Sequence, residues 1–240
     1  MDAVAIITAR GGSKRIPGKN LREFCGKPIL AYGIEAALES GLFQEVMVST
    51  DSEEIAAAAR RYGAATPFPR GAETSNDYAT TADVLLEVLE CYRQAGRSFE
   101  ALCCIYPTAP FLTAEKLRSA CSAFMEAGAD SLVPVVRFDF PPQRAFVVRN
   151  ERLVYQYPQY AMTRSQDLEP IYHDSGQFYF CRTAAFLRCR TLITPDTVPF
   201  VLNPEEVQDI DTLSDWVIAE EKYRVWSRKK GGKIPDVSPV

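Results

Sequence analysis

Through residue 136 the chain alternates short, continuous apolar runs with segments of helical period, and that alternation confines it to an α/β architecture. The runs are 3–8 (AVAIIT), 45–50 (EVMVST), 101–106 (ALCCIY) and 130–136 (DSLVPVV). They read as strands buried on both faces, the habit of a parallel sheet. Between them Leu30, Gly33, Ile34, Ala37 and Leu38 share one helical face, with Gly41 where a helix would stop. Ile55, Ala58, Ala59 and Tyr62 do the same after a capping-box-like Asp51/Glu54. Leu85, Val88, Leu89 and Tyr92 follow Thr81, and Leu117, Ala120, Cys121 and Phe124 follow Thr113. The expectation is a doubly wound, mostly parallel, Rossmann-like sheet with right-handed crossovers.

From Phe138 the rhythm fails: FDFPPQ leads into short runs at 145–148 and 153–155 and an aromatic, polar stretch without helical period. A small β-rich insertion over 138–176 is expected, laid on the sheet's carboxyl edge or reaching toward a second subunit. Strand pattern resumes at 177–181 and 198–202, and a helix from about Leu213 is capped by Thr212 and Asp215. Residues 1–137 and 177–226 then form one α/β domain, 138–176 an inserted lobe, and the Gly/Pro-rich 227–240 a flexible tail.

Composition removes several classes of function. With Lys+Arg 27 against Asp+Glu 31 the net charge is −4, too weak a field for a nucleic-acid partner. Seven cysteines, odd in number and never spaced CxxC, support neither a disulfide framework nor a zinc knuckle and suit a reducing cytoplasm. The N-terminal apolar run is too short and has an acid before it, unlike a secretory signal, and no stretch reaches the roughly eighteen apolar residues of a membrane span. His173 is the one histidine, which excludes a multi-histidine metal site.

Open α/β sheets bind ligands outside the carboxyl ends of their strands, so the segments after each run carry the chemistry. After the first comes ARGGSKRIPGKN: Gly11 and Gly12 let backbone N–H groups approach an anion, and Arg10, Lys14, Arg15 and Lys19 supply four cations. That composition suits a triphosphate; its alternative is a solvated basic loop. Gly12 and Gly18 stand one residue too far apart for a Walker A loop, and Asn20 occupies its Ser/Thr position. In Gln208-Asp209-Ile210-Asp211-Thr212 the two carboxylates alternate with Ile210, so an extended backbone presents both on one face, as an Mg²⁺ shared with substrate phosphates requires. The alternative makes Asp211 and Thr212 helix-start residues only.

Five motifs now carry a resemblance: ARGGSKRIPGKN, STDSEEIAxxAxxYGA at 49–64, RGAETSND at 70–77, YPTAPFLT at 106–113 and QDIDTLSDW at 208–216. In this order, over nearly the whole chain, they resemble the CMP-sialic acid synthetases, cytidylyltransferases that activate nine-carbon acidic sugars on a nucleotide-diphospho-sugar transferase-like fold. The stretch 157–180 most resembles the branch that activates pseudaminic acid. The resemblance implies that Arg10, Gly11, Gly12, Ser13, Lys19 and Asn20 hold CTP, that Arg70, Asp77 and Thr80 or Thr81 lie near the nucleotide, and that Asp209 and Asp211 carry Mg²⁺. Lys14 and Arg15 join the CTP set by their charge, to neutralise the leaving pyrophosphate. Lys19, Asp209 and Asp211 would then be catalytic.

For the sugar, Tyr106, Arg164, His173 and Gln177 are the candidates, Arg164 because its fork matches a carboxylate. The sialic acid branch has Gln where Tyr106 stands and tends to have Arg and Asn where His173-Asp174-Ser175 lies, which favours a differently configured nine-carbon acid, pseudaminic acid by the 157–180 resemblance, over sialic acid. The same reaction with N-acetylneuraminic or legionaminic acid is the alternative. A homodimer is also implied, with the insertion reaching the neighbour's site. A nucleotide-binding regulator without turnover is the alternative from another class, and the paired Asp209 and Asp211 count against it.

Overall fold

The structure, a computed structural model, describes residues 1–231. Its strands are β1 (Ala3–Thr8), β2 (Glu23–Phe24), β3 (Lys27–Pro28), β4 (Glu45–Ser49), β5 (Ala101–Ile105), β6 (Ser131–Arg137), β7 (Phe146–Arg149), β8 (Arg152–Tyr155), β9 (Tyr172–Asp174), β10 (Phe178–Arg182) and β11 (Thr197–Val201). Its helices are α1 (Ile29–Ser40), α2 (Glu53–Arg61), α3 (Thr81–Gln94), α4 (Ala114–Ala127), α5 (Thr183–Cys189) and α6 (Leu213–Lys229). The central sheet runs β11-β6-β10-β5-β1-β4, with β9 added to β6. β1 is parallel to β4 and β5, and β11 to β6, whereas β10 runs antiparallel between β5 and β6. The α/β, mostly parallel architecture expected from the alternation is present.

Alternation of side chains along each strand makes two cores. From β1, Ala3, Ala5 and Ile7 pack with α1, α2 and α4, while Val4 and Ile6 pack with α3 and α5. Phe180 of β10 is fully buried and rests on Phe124, Phe178 and Phe43. Phe180→Ala is expected to cost about 3–5 kcal/mol of stability. Urea unfolding followed by circular dichroism checks it, and a loss below about 1 kcal/mol would show that this core does not carry the domain.

Four local features differ from expectation. The cap of α2 is Ser52, whose hydroxyl accepts from the Ile55 N–H at 3.4 Å, because Asp51 is engaged elsewhere. The cap of α3 is Thr80, in a reciprocal capping box with Asp83. The last helix continues past 226 to Lys229, since Trp226 is buried against Phe111 and Tyr223; 232–240, the rest of the expected tail, lie outside the described residues. Within 138–176, β7 and β8 form a separate hairpin, but β9 pairs with the carboxyl half of β6 and so belongs to the central sheet. β9 and β10 share one edge of β6, separated by a kink at Ser175-Gly176-Gln177 beside the carboxyl end of β5.

Candidate active site

The carboxyl ends of β1 and β5 open onto a cavity of about 440 Å³. Arg10, Ser13, Lys14, Arg15, Lys19 and Asn20 line one side, and Asp77, Tyr106 and Asp211 lie across from them. A second hollow of about 270 Å³ shares Thr8, Arg10 and Asp77 with the first and is walled by Arg70, Thr80 and Thr81.

The basic loop owes its shape to its apolar and small residues. Ile16, in the middle of four cations, is fully buried with Phe24, Ile29, Tyr32, Ile210 and Trp216. Gly18 sits at φ +64, a left-handed conformation that glycine adopts without steric cost, and its carbonyl accepts from the Leu21 and Arg22 N–H groups. The Asn20 amide donates to the Arg10 carbonyl at 2.8 Å and ties the loop's ends together. Ile210 shares the Ile16 cluster, so the basic loop and the Asp209-Ile210-Asp211 segment stand on one apolar knot.

Charges then pair across the cavity. Arg15 meets Asp211 at 2.7 Å, Arg10 meets Asp77 at 2.8 Å, and Lys14 also binds Asp77. The Lys14 and Arg10 hydrogen bonds hold the Asp77 carboxyl below its ordinary range, so this clasp persists through neutral pH and is lost only as pH falls through that lowered value. Lys19 is half-buried and its ammonium donates to the Ile210 carbonyl. Burial lowers its pKa, while Asp211 and Asp209 pull the other way.

Several residues singled out in the sequence lie elsewhere or have other partners. The Gly11 N–H donates to the Asp51 carboxylate at 2.8 Å, and nothing lies within 4 Å of a Cβ built on Gly12. Asp51 escaped the sequence reading because it was spent on a helix cap; its position just after β4 was the signal. The Arg70 guanidinium donates to the Ser49 hydroxyl at 2.9 Å and carbonyl at 2.6 Å; burial lowers its pKa, opposed by Asp51 and Glu87. Thr80 commits its hydroxyl to the α3 cap.

The Tyr106 hydroxyl lies 3.2 Å from that of Thr81, and its ring meets Tyr179, which donates to Asp174 at 2.8 Å. Gln177 is buried; its carbonyl accepts from the Tyr106 N–H, and its amide donates to the Glu206 carbonyl at 2.6 Å. Arg164 is exposed and ion-paired with Asp167, and the exposed His173 ring lies tilted against Phe138, 4.8 Å between centroids; neither lines either cavity. Asp209 is exposed and off the wall.

Among the described residues no three His, Cys, Asp or Glu side chains cluster closely enough to cage a metal ion. Asp209 and Asp211 offer two carboxylates, which fits Mg²⁺, an ion held by one or two carboxylates with the remaining sites left to phosphate and water.

The sequence profile of the cytidylyltransferases matches residues 4–199. The chain belongs to the cytidylyltransferase family. It is 41% identical over 226 residues to the pseudaminic acid cytidylyltransferase of Campylobacter jejuni, covering 94% of this chain and 97% of that one. It is 32% identical to the CMP-N,N'-diacetyllegionaminic acid synthase of Legionella pneumophila, covering 92% and 96%. A CMP:2-keto-3-deoxy-manno-octonic acid synthetase solved with CTP shares the fold, with a TM-score of 0.65 over 96% of this chain and all of that one at 20% identity. As a member of the cytidylyltransferase family the chain is a CTP-dependent nucleotidyltransferase. No helix among its described residues is long and apolar enough to cross a membrane.

Proposed function

We propose that the protein joins CMP to pseudaminic acid, with the basic-loop cavity as the CTP phosphate site and the adjoining Arg70/Thr80/Thr81 hollow as the nucleoside site. The observation that carries the reading is the convergence of Arg10, Ser13, Lys14, Arg15 and Lys19 on a cavity closed by Asp211. A triphosphate of about four negative charges exchanges places with the carboxylates that clasp these cations: Asp77 on Arg10 and Lys14, and Asp211 on Arg15. Such exchange costs little where the pairs are exposed.

The anomeric hydroxyl of the sugar acid attacks the α-phosphorus of CTP in line. The new P–O bond forms as the bond to the β-phosphate bridging oxygen breaks, and pyrophosphate leaves with the hydroxyl proton passing to solvent. Arg10, Lys14, Arg15 and Lys19 orient the phosphates and neutralise charge on the leaving group. Asp209 and Asp211 would hold Mg²⁺. When bound, that ion supplies Lewis-acid stabilisation of the phosphoryl oxygens and lowers the pKa of the attacking hydroxyl.

Tyr106, on the cavity wall and braced by Thr81 and Tyr179, is the sugar-facing residue that departs from the sialic acid branch. The 138–176 lobe serves as sugar and dimer lobe: Phe140, Val148, Leu153 and Met162 are strongly exposed apolar side chains that a second subunit would cover. In that homodimer, outward-facing Arg164 and His173 serve the partner's cavity, with Arg164 as carboxylate ligand. Gln177 acts from beneath the sugar site, and the free cysteines suit the cytoplasm, where CTP is made.

Pyrophosphate release with Mg²⁺ and CTP, run on pseudaminic, legionaminic and N-acetylneuraminic acids with ATP, GTP and UTP as controls, tests the reading. Pseudaminic acid is expected to exceed the other acids by about 100-fold or more in kcat/KM, as a site that hydrogen-bonds its substrate rejects mismatched epimers. Equal turnover of the three acids overturns the sugar assignment, and tight CTP binding without release on any acid overturns the reaction.

A further inference from the structure

The segment that carries Asp209 and Asp211 belongs to no strand or helix. From Val207 to Asp211 it has no ladder of its own, so beyond the buried Ile210 its position is set by side chains that hydrogen-bond its backbone and that of the residue before it. Gln177 donates to the Glu206 carbonyl at 2.6 Å, Lys222 of α6 to the Val207 carbonyl at 2.5 Å, and Lys19 to the Ile210 carbonyl.

At the head of this segment stands an ion pair that none of the preceding chemistry uses. Lys116 of α4 is buried, with its side chain 9% exposed, and its ammonium meets the Glu206 carboxylate at 3.1 Å. The same ammonium donates to the Phe111 carbonyl at 2.8 Å and lies 5.3 Å from the centre of the Trp226 ring. The other Glu206 oxygen accepts from the Trp226 indole N–H at 2.8 Å. Glu206 is thereby held from α4 and α6, while its backbone carbonyl is held from the kink before β10.

With Lys116 buried and the Glu206 side chain 18% exposed, the pair is weak evidence for a role in stability, because desolvation offsets much of the attraction. Burial pulls the Lys116 pKa down to about 8 despite Glu206. Burial pushes Glu206 upward, but Trp226 and Lys116 outweigh it and keep its pKa low.

We propose that the Lys116–Glu206 pair, with Trp226, is a positioning device that sets the Asp209–Asp211 segment against the phosphate cavity. Neither residue touches substrate; each acts through the loop. The inference rests on the assignment of Asp211 to the phosphate end of the site.

Glu206→Gln and the double variant Lys116→Met/Glu206→Gln test it, with Asp211→Ala as control. Glu206→Gln is expected to lower kcat roughly tenfold or more, as small misplacements of reacting groups do, while the KM for CTP and its Kd in metal-free buffer stay within about twofold. The double variant, freed of an uncompensated buried charge, is expected to regain the parent's Tm but not its kcat. A pair with a structural role alone lowers Tm in Glu206→Gln and leaves kcat within about twofold, or restores kcat together with Tm in the double variant; either result overturns the inference. Should Glu206→Gln fail to fold, the double variant decides the matter by its kcat. An active Asp211→Ala instead overturns the reading on which the inference rests, so the two failures are distinguishable.

Discussion

Asp211→Ala is expected to lower kcat about 10³-fold or more while leaving the fold intact. The carboxylate lines the basic-loop cavity 2.7 Å from Arg15, and the side chain takes no part in the α6 cap. That cap is made by Thr212 and Asp215, and the Asp211 contribution is its backbone N–H, donated to Asp215, which alanine retains. Stability should therefore be nearly unchanged. On the proposed assignment of Asp211 as a magnesium ligand, its loss weakens the protein's hold on the divalent ion. Interactions of that kind contribute several kcal/mol to a phosphoryl transition state, and every 1.36 kcal/mol is tenfold in rate. Ground-state binding should move the other way: with Arg15 released, CTP in metal-free buffer should bind at least as tightly as to the parent. Pyrophosphate release, titration calorimetry with CTP and thermal unfolding separate the three effects. Parent-like turnover would remove Asp211 from the reaction altogether.

Legibility in the sequence followed the range of the interactions. The element pattern through residue 136 is set by neighbours three or four positions apart, and the strands and helices read there are present to within a residue or two. The Thr212/Asp215 cap was equally local. Sheet order was not. Nothing in FYFCR says that β10 turns antiparallel and inserts between β5 and β6, because that is decided by partners remote in the chain.

The site divides the same way. The cations of 10–19 and the pair at 209 and 211 could be read because each group is contiguous. Ile16 and Ile210, the apolar residues inside these polar motifs, were the signal that the two would meet, since an isolated isoleucine among charges needs a shared core. Asp51 shows how a correct local rule misleads: Asp and Ser both cap helices, and tertiary demand from the Gly11 N–H gave the task to Ser52. Arg164 and Asp167, three apart on one turn, carried their own warning that this guanidinium is already partnered within the lobe. Lys116 gave none, because a lysine on an amphipathic helix ordinarily faces water.

Lys19→Met is expected to lower kcat/KM about 10²–10³-fold, the scale of losing one fixed donor at a site of developing charge. Its effect should exceed that of Lys14→Met, although both remove one positive charge from the same cavity. Lys14 is 78% exposed and held by Asp77 alone, so water and salt screen what it contributes. Lys19 is half-buried, and its ammonium also holds the Ile210 carbonyl between the two aspartates. Removing it takes away a desolvated charge and loosens the segment that carries Asp209 and Asp211. Lys19→Arg separates the two roles: it keeps the charge, but the planar guanidinium is too large to take up the ammonium's position beside Ile210. A deficit of at least tenfold in Lys19→Arg, with CTP affinity near the parent's, assigns that part of the effect to the loop. Equal losses in Lys14→Met and Lys19→Met would mean that the cavity works by its summed charge, and the division of labour between the exposed and the half-buried lysine would fall.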